Sequence, residues 1–263
     1  MKTILLLVRD DSGLNARLFA SFDLVRALDA QLVCLDIVEP IAASDPFGGL
    51  HSTVTERQCL REASLRRRVE DAILEQRIDV EWIEAIGDTA TCLVEAAALS
   101  DLIVLGRDNY GAFLPGLDAR VIVKSCRPVL VVPDRADEMN LRGQVVIAWD
   151  GSSSAIAALR AALPILAQAK AVTLVEIDDG SVAIRAERAS EYLGRYSIPS
   201  HVAPKHALAS PAGHLLAEEC RRLRPSYVVM GGYGHSPLRE AIFGGATRHM
   251  LEHSTCPLLL AHA

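Results

Sequence analysis

Apolar residues in this chain fall into short, nearly unbroken runs. Between the runs lie longer stretches where they recur every three or four positions. Thr3–Val8, Gln31–Ile37, Asp79–Ile83, Leu102–Leu105 and Val129–Val132 are the runs of the first half. Gln144–Trp149, Ala171–Ile177, Ser200–Ala203, Tyr227–Met230 and Leu258–Leu260 are those of the second. Runs this short and this rich in Val, Ile and Leu predict strands covered on both faces, as in a parallel sheet between two helical layers. Among the intervening stretches, Leu65, Val69, Ala72, Ile73 and Gln76 keep helical spacing, with Arg66, Arg67 and Arg68 on other faces. Three consecutive arginines could serve an anion, but opposite an apolar stripe they read better as a solvated helix face. Glu39–Thr53 carries Pro40, Pro46, Gly48 and Gly49 and reads as a long loop without a counterpart in the second half.

The two halves repeat each other. Each opens with an apolar strand running into acidic and small residues, Val8-Arg9-Asp10-Asp11-Ser12 and Trp149-Asp150-Gly151-Ser152. Each has a fourth strand ending on glycine, at Gly106 and Gly231, and a last strand led by proline, Pro128 and Pro257. The repeat is a whole domain rather than a solenoid unit. Its boundary falls in the polar stretch Pro133–Gly143, which gives domains over 1–135 and 142–263. The last strands are short apolar edges that need cover. Packing them around a pseudo-two-fold axis would supply it.

Composition narrows the function. Half of the 263 residues are hydrophobic, so each half has material for a core. A net charge of −6 with mixed signs argues against a nucleic-acid surface and gives no reason to invoke anionic lipid. No apolar stretch approaches the roughly 20 residues of a membrane span. Arg9, Asp10 and Asp11 follow Ile4–Val8 too closely for a signal-peptide core. The six cysteines form no C-x-x-C pair and read as reduced, structural residues of a cytoplasmic protein.

The most informative stretch is Gly231–Thr247. It follows a predicted strand and leads into a helix pattern, and its glycines, Gly231, Gly234 and Gly244, would let backbone approach an anion. The N–H groups at the start of the next helix would add a partial charge of about +0.5. Gly231-x-x-Gly234, nine residues, then Gly244 resembles the G-x-x-G-x9-G-[S/T] signature of the universal stress protein family. Asp150-Gly151-Ser152 after the first strand and Cys256-Pro257 before the last agree with it. The resemblance spans the chain as a tandem, two-domain member.

The resemblance implies an α/β fold: two tandem doubly wound five-stranded parallel sheets, Rossmann-like and adenine nucleotide alpha hydrolase-like, related by a pseudo-two-fold. It implies a stress-response regulatory protein binding ATP or AMP, with Mg2+ as an optional companion, at the second domain. Asp150 and Ile177 would meet the adenosine end, and Ala148 would line the same pocket. Met230, Gly231, Gly234, His235, Gly244, Gly245 and Ala246 would surround ribose and phosphates. One departure stands out: the family's Ser/Thr after the last glycine is Gly245 here. One neutral hydrogen bond is worth about 0.5–1.5 kcal/mol, so affinity would fall about tenfold without vanishing, with Thr247 as a substitute source of a hydroxyl.

The first half reads as degenerate. Pro128 arrives 22 residues after Gly106 (128 − 106), whereas Pro257 arrives 26 after Gly231 (257 − 231). Arg9 or Asp10 stands where Asp150 does, and Asp108 would repel a phosphate.

Other motifs carry less. His249-Met250-Leu251-Glu252-His253 matches an H-x-x-E-H metalloprotease pattern, but no third carboxylate ligand is apparent. Two histidines in a last helical turn also complement the helix dipole. Ser152-Ser153-Ser154 lacks a G-x-S-x-G elbow and reads as a helix start capped by Ser152. No Walker motif is present. With no nucleophile–base pair in view, the expectation is regulation rather than catalysis, with no catalytic residues and no resident metal. The expected partners are the nucleotide and an unidentified signalling protein, in a homodimer or a pseudo-dimeric monomer. A slow ATPase or phosphotransferase, and a scaffold that binds no nucleotide, are the alternatives.

Overall fold

In the strand Thr3–Val8 (β1), Ile4 to Val8 are all buried. A strand apolar on both faces belongs inside a sheet sandwiched by helices. The computed structural model describes residues 1–39, 51–107, 116–136, 139–178, 180, 182–206, 211–233 and 245–263, with backbone alone for 51–62. After β1 come α1 (Leu14–Leu28), β2 (Gln31–Val38), α2 (His51–Gln76), β3 (Val80–Ile86), α3 (Thr89–Ala96), β4 (Leu102–Gly106), α4 (Leu117–Lys124) and β5 (Val129–Val132). The second half follows with β6 (Gln144–Trp149), α5 (Ser153–Leu166), β7 (Ala171–Asp178), α6 (Ala186–Gly194), β8 (Ser200–His206), α7 (Ala212–Leu223), β9 (Tyr227–Gly231), α8 (Ala246–His253) and β10 (Leu258–Ala261).

All ten expected strands form. The largest extensions are β3 and β8, which run on to Ile86 and His206. Both are edge strands whose residues are only partly buried, so polar residues interrupt the apolar run that marks interior strands. Pro204 is tolerated in β8 because an edge strand has one unpaired side. The loop expected over Glu39–Thr53 needs correction at its end, since His51–Thr53 already belong to α2. The other part of it, 40–50, lies outside the described residues.

The strand order is β3-β2-β1-β4-β5-β10-β9-β6-β7-β8 in a single sheet. Each half is parallel throughout. The halves join where β10 pairs antiparallel with β5, with Leu258, Leu259 and Leu260 opposite Val131, Leu130 and Val129. The two expected sheets are thus two halves of one ten-stranded sheet. The order reads the same from either end, as a pseudo-two-fold through the seam requires.

Helices α1, α2, α5 and α6 cover one face and α3, α4, α7 and α8 the other. Each face carries an apolar cluster that runs across both halves. The polar stretch between the halves is pinned by two apolar residues, Met139 and Leu141, both buried in the first cluster. The arginine run of α2 is a solvated face, as its pattern suggests. Arg66 pairs with Glu70 and Glu84 and lies over the Trp82 ring, and Arg68 pairs with Asp10.

Because the seam is shared core, the chain should melt as one unit. Leu259→Ala should destabilise by about 2–5 kcal/mol, as for a fully buried leucine. It should lower a single calorimetric transition. Two separate transitions, one insensitive to the substitution, would show that the halves are energetically independent.

Candidate functional site

Strand pairing opens a crevice in the second half. β6 pairs with β9 only over Val145–Ile147 against Tyr227–Val229. On its other side β6 continues with β7 to Trp149–Glu176, and β9 continues with β10 to Gly231–Ala261. The carboxyl ends of β6 and β9 therefore part where their connections leave for opposite faces. That is the switch point at which open α/β sheets bind ligands.

Alternation along the strands sorts the side chains. Ala148, Ile177 and Met230 all face the α7/α8 side, Ala148 half-buried and the other two buried. Trp149 and Glu176, one step out of phase, face the α5/α6 side. Trp149 joins the apolar cluster there, and the Glu176 carboxylate caps α6 by accepting the Ala186 N–H at 2.6 Å. Asp150 is exposed just beyond β6. One carboxylate oxygen accepts the Ser152 N–H at 2.9 Å, which closes the turn into α5. Ser152 caps that helix as expected, its hydroxyl accepting the Ala155 N–H at 3.2 Å. Gly151 needs φ +72°, and a Cβ there would fall 2.3 Å from the Ile184 backbone nitrogen.

The loop after β9 starts tightly. A Cβ on Gly231 would lie 2.8 Å from the Ala155 nitrogen, so that glycine lets the first turn of α5 press against the strand end. The Gly232 N–H donates to Ala261 at 2.8 Å. Tyr233 is buried with φ +53°, a left-handed conformation unusual for a tyrosine. Its N–H donates to the Thr247 hydroxyl oxygen at 3.2 Å. Thr247 is thus buried in the first turn of α8, its oxygen holding the loop's start and its hydroxyl proton left to donate. Gly245 is the N-cap of α8 and offers no side-chain cap, so the N–H groups of this helix start without the usual hydroxyl acceptor. The structure brings together Ala148, Asp150, Ile177, Met230 and Gly231 on the strand ends, with Gly245, Ala246 and Thr247 at the start of α8. Gly234, His235 and Gly244 lie outside the described residues.

Around this frame stand groups that sequence reading did not single out. Glu176 is fully buried, and Arg185 bridges it to Asp178 at 2.9 Å each. The Gly180 N–H and Arg185 hold the Asp178 carboxyl below its ordinary range. Between them in sequence, the Ala183 N–H donates to the Asp150 carbonyl at 3.3 Å. Two acidic residues in a largely apolar strand were the available signal.

The histidines of the H-x-x-E-H motif stack. The His249 ring lies 4.1 Å from that of His214 on α7 and 4.3 Å from that of His253. Rings stacked face to face do not converge their lone pairs on one ion. Glu252 is committed to Arg248 at 2.8 Å. Among the described residues no group of three His, Cys, Asp or Glu side chains is arranged to hold a metal. Gly213 permits the close approach of the helices, since a Cβ there would come 2.8 Å from that of His249.

The first half has the same parting of strands, its β1–β4 pairing ending at Leu6–Val104. A different group fills the strand end. Arg17 is 1% exposed. It donates to Asp11 at 2.8 and 3.1 Å and to the Arg9 carbonyl at 3.0 Å. A Cβ on Gly106 would meet its guanidinium at 2.5 Å. Asp10 is engaged by Arg68. Asp108 lies outside the described residues. Arg17 sits on the apolar stripe of α1 with Leu14, Leu18 and Ser21, and that misplaced charge was a legible sign of a buried pair.

No protein-family model matches the sequence, and no curated protein matches it either. Solved structures share the fold. A universal stress protein from Archaeoglobus fulgidus DSM 4304 matches 99% of this chain with 96% of its own, at 17% identity and TM-score 0.80. A functionally unknown protein from Pseudomonas aeruginosa PAO1 matches 99% with 92% of its own, at 17% identity and TM-score 0.63. A universal stress protein solved in complex with cAMP aligns 97% of its length with 51% of this chain, at 21% identity and TM-score 0.37. The fold is therefore that of tandem universal stress proteins, an α/β sheet with helices on both faces.

The histidine stack makes stability depend on pH. Burial first, then the neighbouring His253 and His214, hold the His249 imidazole below its ordinary value of 6.5, with Glu252 opposing and Arg221 reinforcing. A base whose folded pKa is depressed binds its proton more readily when unfolded. Its stabilisation is intact above 6.5 and is lost as pH falls from there toward the folded value. Melting temperature should drop on mild acidification in the native chain and drop less in His249→Gln. Parallel pH profiles for the two would contradict the assignment.

Proposed function

We propose that the chain is a tandem universal stress protein that binds one adenine nucleotide, ATP or AMP, in the crevice of its second half. The observation that carries this is the parting of β6 and β9 beside exposed Asp150 and an α8 whose N-terminus has no side-chain cap. An acidic acceptor at one end suits the exocyclic amine of a purine. Uncapped N–H groups at the other suit phosphate oxygens. In this reading Ala148, Ile177 and Met230 wall the base, and Asp150 accepts from it. Gly231, Gly234, His235, Gly244, Gly245, Ala246 and Thr247 surround ribose and phosphates. Mg2+ would accompany the phosphates of ATP.

The first half supports a stoichiometry of one, because Arg17 and Asp11 are already spent on each other at its strand ends. The activity is regulatory binding rather than turnover, in a stress response and through contact with a signalling protein in the cytoplasm. Among the described residues no helix is long and apolar enough to cross a membrane.

Gly244→Val tests the loop. A β-branched residue forced into a strained backbone costs about 1–3 kcal/mol, and a lost charge-assisted hydrogen bond about 1.5–3 kcal/mol. ATP affinity should fall about a hundredfold or more, at 1.4 kcal/mol per tenfold. Adenosine, lacking phosphates, should lose much less. Titration calorimetry with both ligands decides it. Unchanged ATP affinity in a folded variant would reduce the glycines to turn formers, and two equivalent ATP sites per chain would refute the asymmetry of the halves.

A further inference from the structure

A cavity of about 310 Å3 lies on the α5/α6 face of the sheet, opposite the face to which Ala148, Ile177 and Met230 point. Its place follows from strand alternation: Ala148 looks toward α7 and α8, and Trp149 looks the other way. Trp149, Ile156 and Leu159 give it an apolar floor. The one polar atom of Trp149 is already satisfied, since its indole N–H donates to the Ile184 carbonyl at 2.7 Å. The ring therefore offers a ligand only its apolar face.

The rim carries three guanidiniums and one carboxylate, that of Glu191. Arg160 comes from α5, Arg188 from α6 and Arg195 from the end of α6. Arg188 is partnered by Glu191 at 3.3 Å. Arg160 and Arg195 have no carboxylate partner among the described residues, although the chain as a whole carries a net charge of −6. Two guanidiniums left unneutralised beside a buried indole fit an anion with an apolar body. Guanidinium matches carboxylate or phosphate oxygens in pairs. The volume sits at the lower end of the range for small-molecule sites, about 300–1,000 Å3, which excludes extended ligands.

We propose that this cavity binds a compact amphipathic anion. An aryl or short alkyl body would rest on Trp149, Ile156 and Leu159, and a single carboxylate or phosphate head would lie at Arg160 and Arg195. The site is separate from the nucleotide crevice and does not rest on it.

The probes are 3-phenylpropionate, its uncharged amide 3-phenylpropanamide, and phenyl phosphate. Binding is read by calorimetry on the native chain, and by Trp149 fluorescence in Trp82→Phe, which removes the other tryptophan. The carboxylate should bind with a Kd of about 1 mM or tighter, and the amide at least about tenfold more weakly. The double variant Arg160→Gln/Arg195→Gln should weaken the acid by about tenfold and leave the amide unchanged. Both arginines are exposed, so its melting temperature should match that of the native chain. Tighter binding of phenyl phosphate than of phenylpropionate would assign the head to phosphate, and the reverse to carboxylate. Equal affinity for acid and amide would overturn the proposal. So would no binding of either anion at about 1 mM, or a folded double variant that binds the acid like the native chain.

Discussion

Each half of this chain ends in a four-residue strand without a polar side chain, Val129–Val132 and Leu258–Ala261. A strand of that kind at the border of a sheet exposes unpaired N–H and C=O groups along an apolar surface. Two equivalent edges can cover each other by pairing antiparallel about a two-fold, and β5 and β10 do so. Much else follows from that contact. The sheet becomes one body of ten strands, both apolar clusters run through it, and Gly232, just after β9, meets α4 of the other half across the seam. A Cβ there would lie 2.7 Å from the Ile122 side chain.

Symmetry of the backbone did not preserve symmetry of the side chains. Both halves open a crevice in the same way, because both run the strand order 3-2-1-4-5 and its mirror. In the second half the strand end carries a glycine against which α5 can start closely, with Ser152 capping the helix and Asp150 left exposed. In the first, a guanidinium that would be costly to bury alone is neutralised by Asp11 and a backbone carbonyl. The charge of Arg17 is consumed internally, and so is the carboxylate nearest the place of Asp150. The parting of strands is thus a property of the topology, and what it can hold depends on a handful of residues at each strand end.

The strands were readable because eight of the ten lie inside the sheet, where burial on both faces forces continuous apolar runs. The edge strands β3 and β8 were read short because one side is free of a neighbour and admits Glu84, Pro204 and His206. Ser152 was legible as a cap and Gly231 as a point of close approach because those features demand particular residues at fixed offsets. Arg17, His214 and Glu176 were not. Each acquires its role from a partner on another element: Arg17 from the end of β4, His214 from α8 and Glu176 from the start of α6. Local pattern carries no record of such meetings beyond the oddity of a charge on an apolar stripe. Thr247 lies between these cases. Its position beside the last glycines was legible, but its bond to Tyr233 joins residues 14 apart in sequence, which local pattern does not record.

The seam also ties the candidate site to the first half. Helix α8 has only eight residues, about 12 Å, too short to persist on its own propensity. Its first turn is anchored by Thr247 holding Tyr233, and its middle by buried Met250 and Leu251. Its far end is closed by a residue of the first half. Arg107, the residue after β4, crosses the seam and donates to the carbonyls of Glu252, at 3.1 Å, and Ser254. A cation there satisfies orphan carbonyls and faces the negative end of the helix dipole. The segment that follows β4 is the counterpart of the loop that follows β9. It lacks the glycine spacing, and its first residue, Arg107, holds the end of the helix whose opposite end begins with Gly245 and Ala246. The helix at whose start the candidate site of the second half lies is therefore held at its far end by a residue of the first.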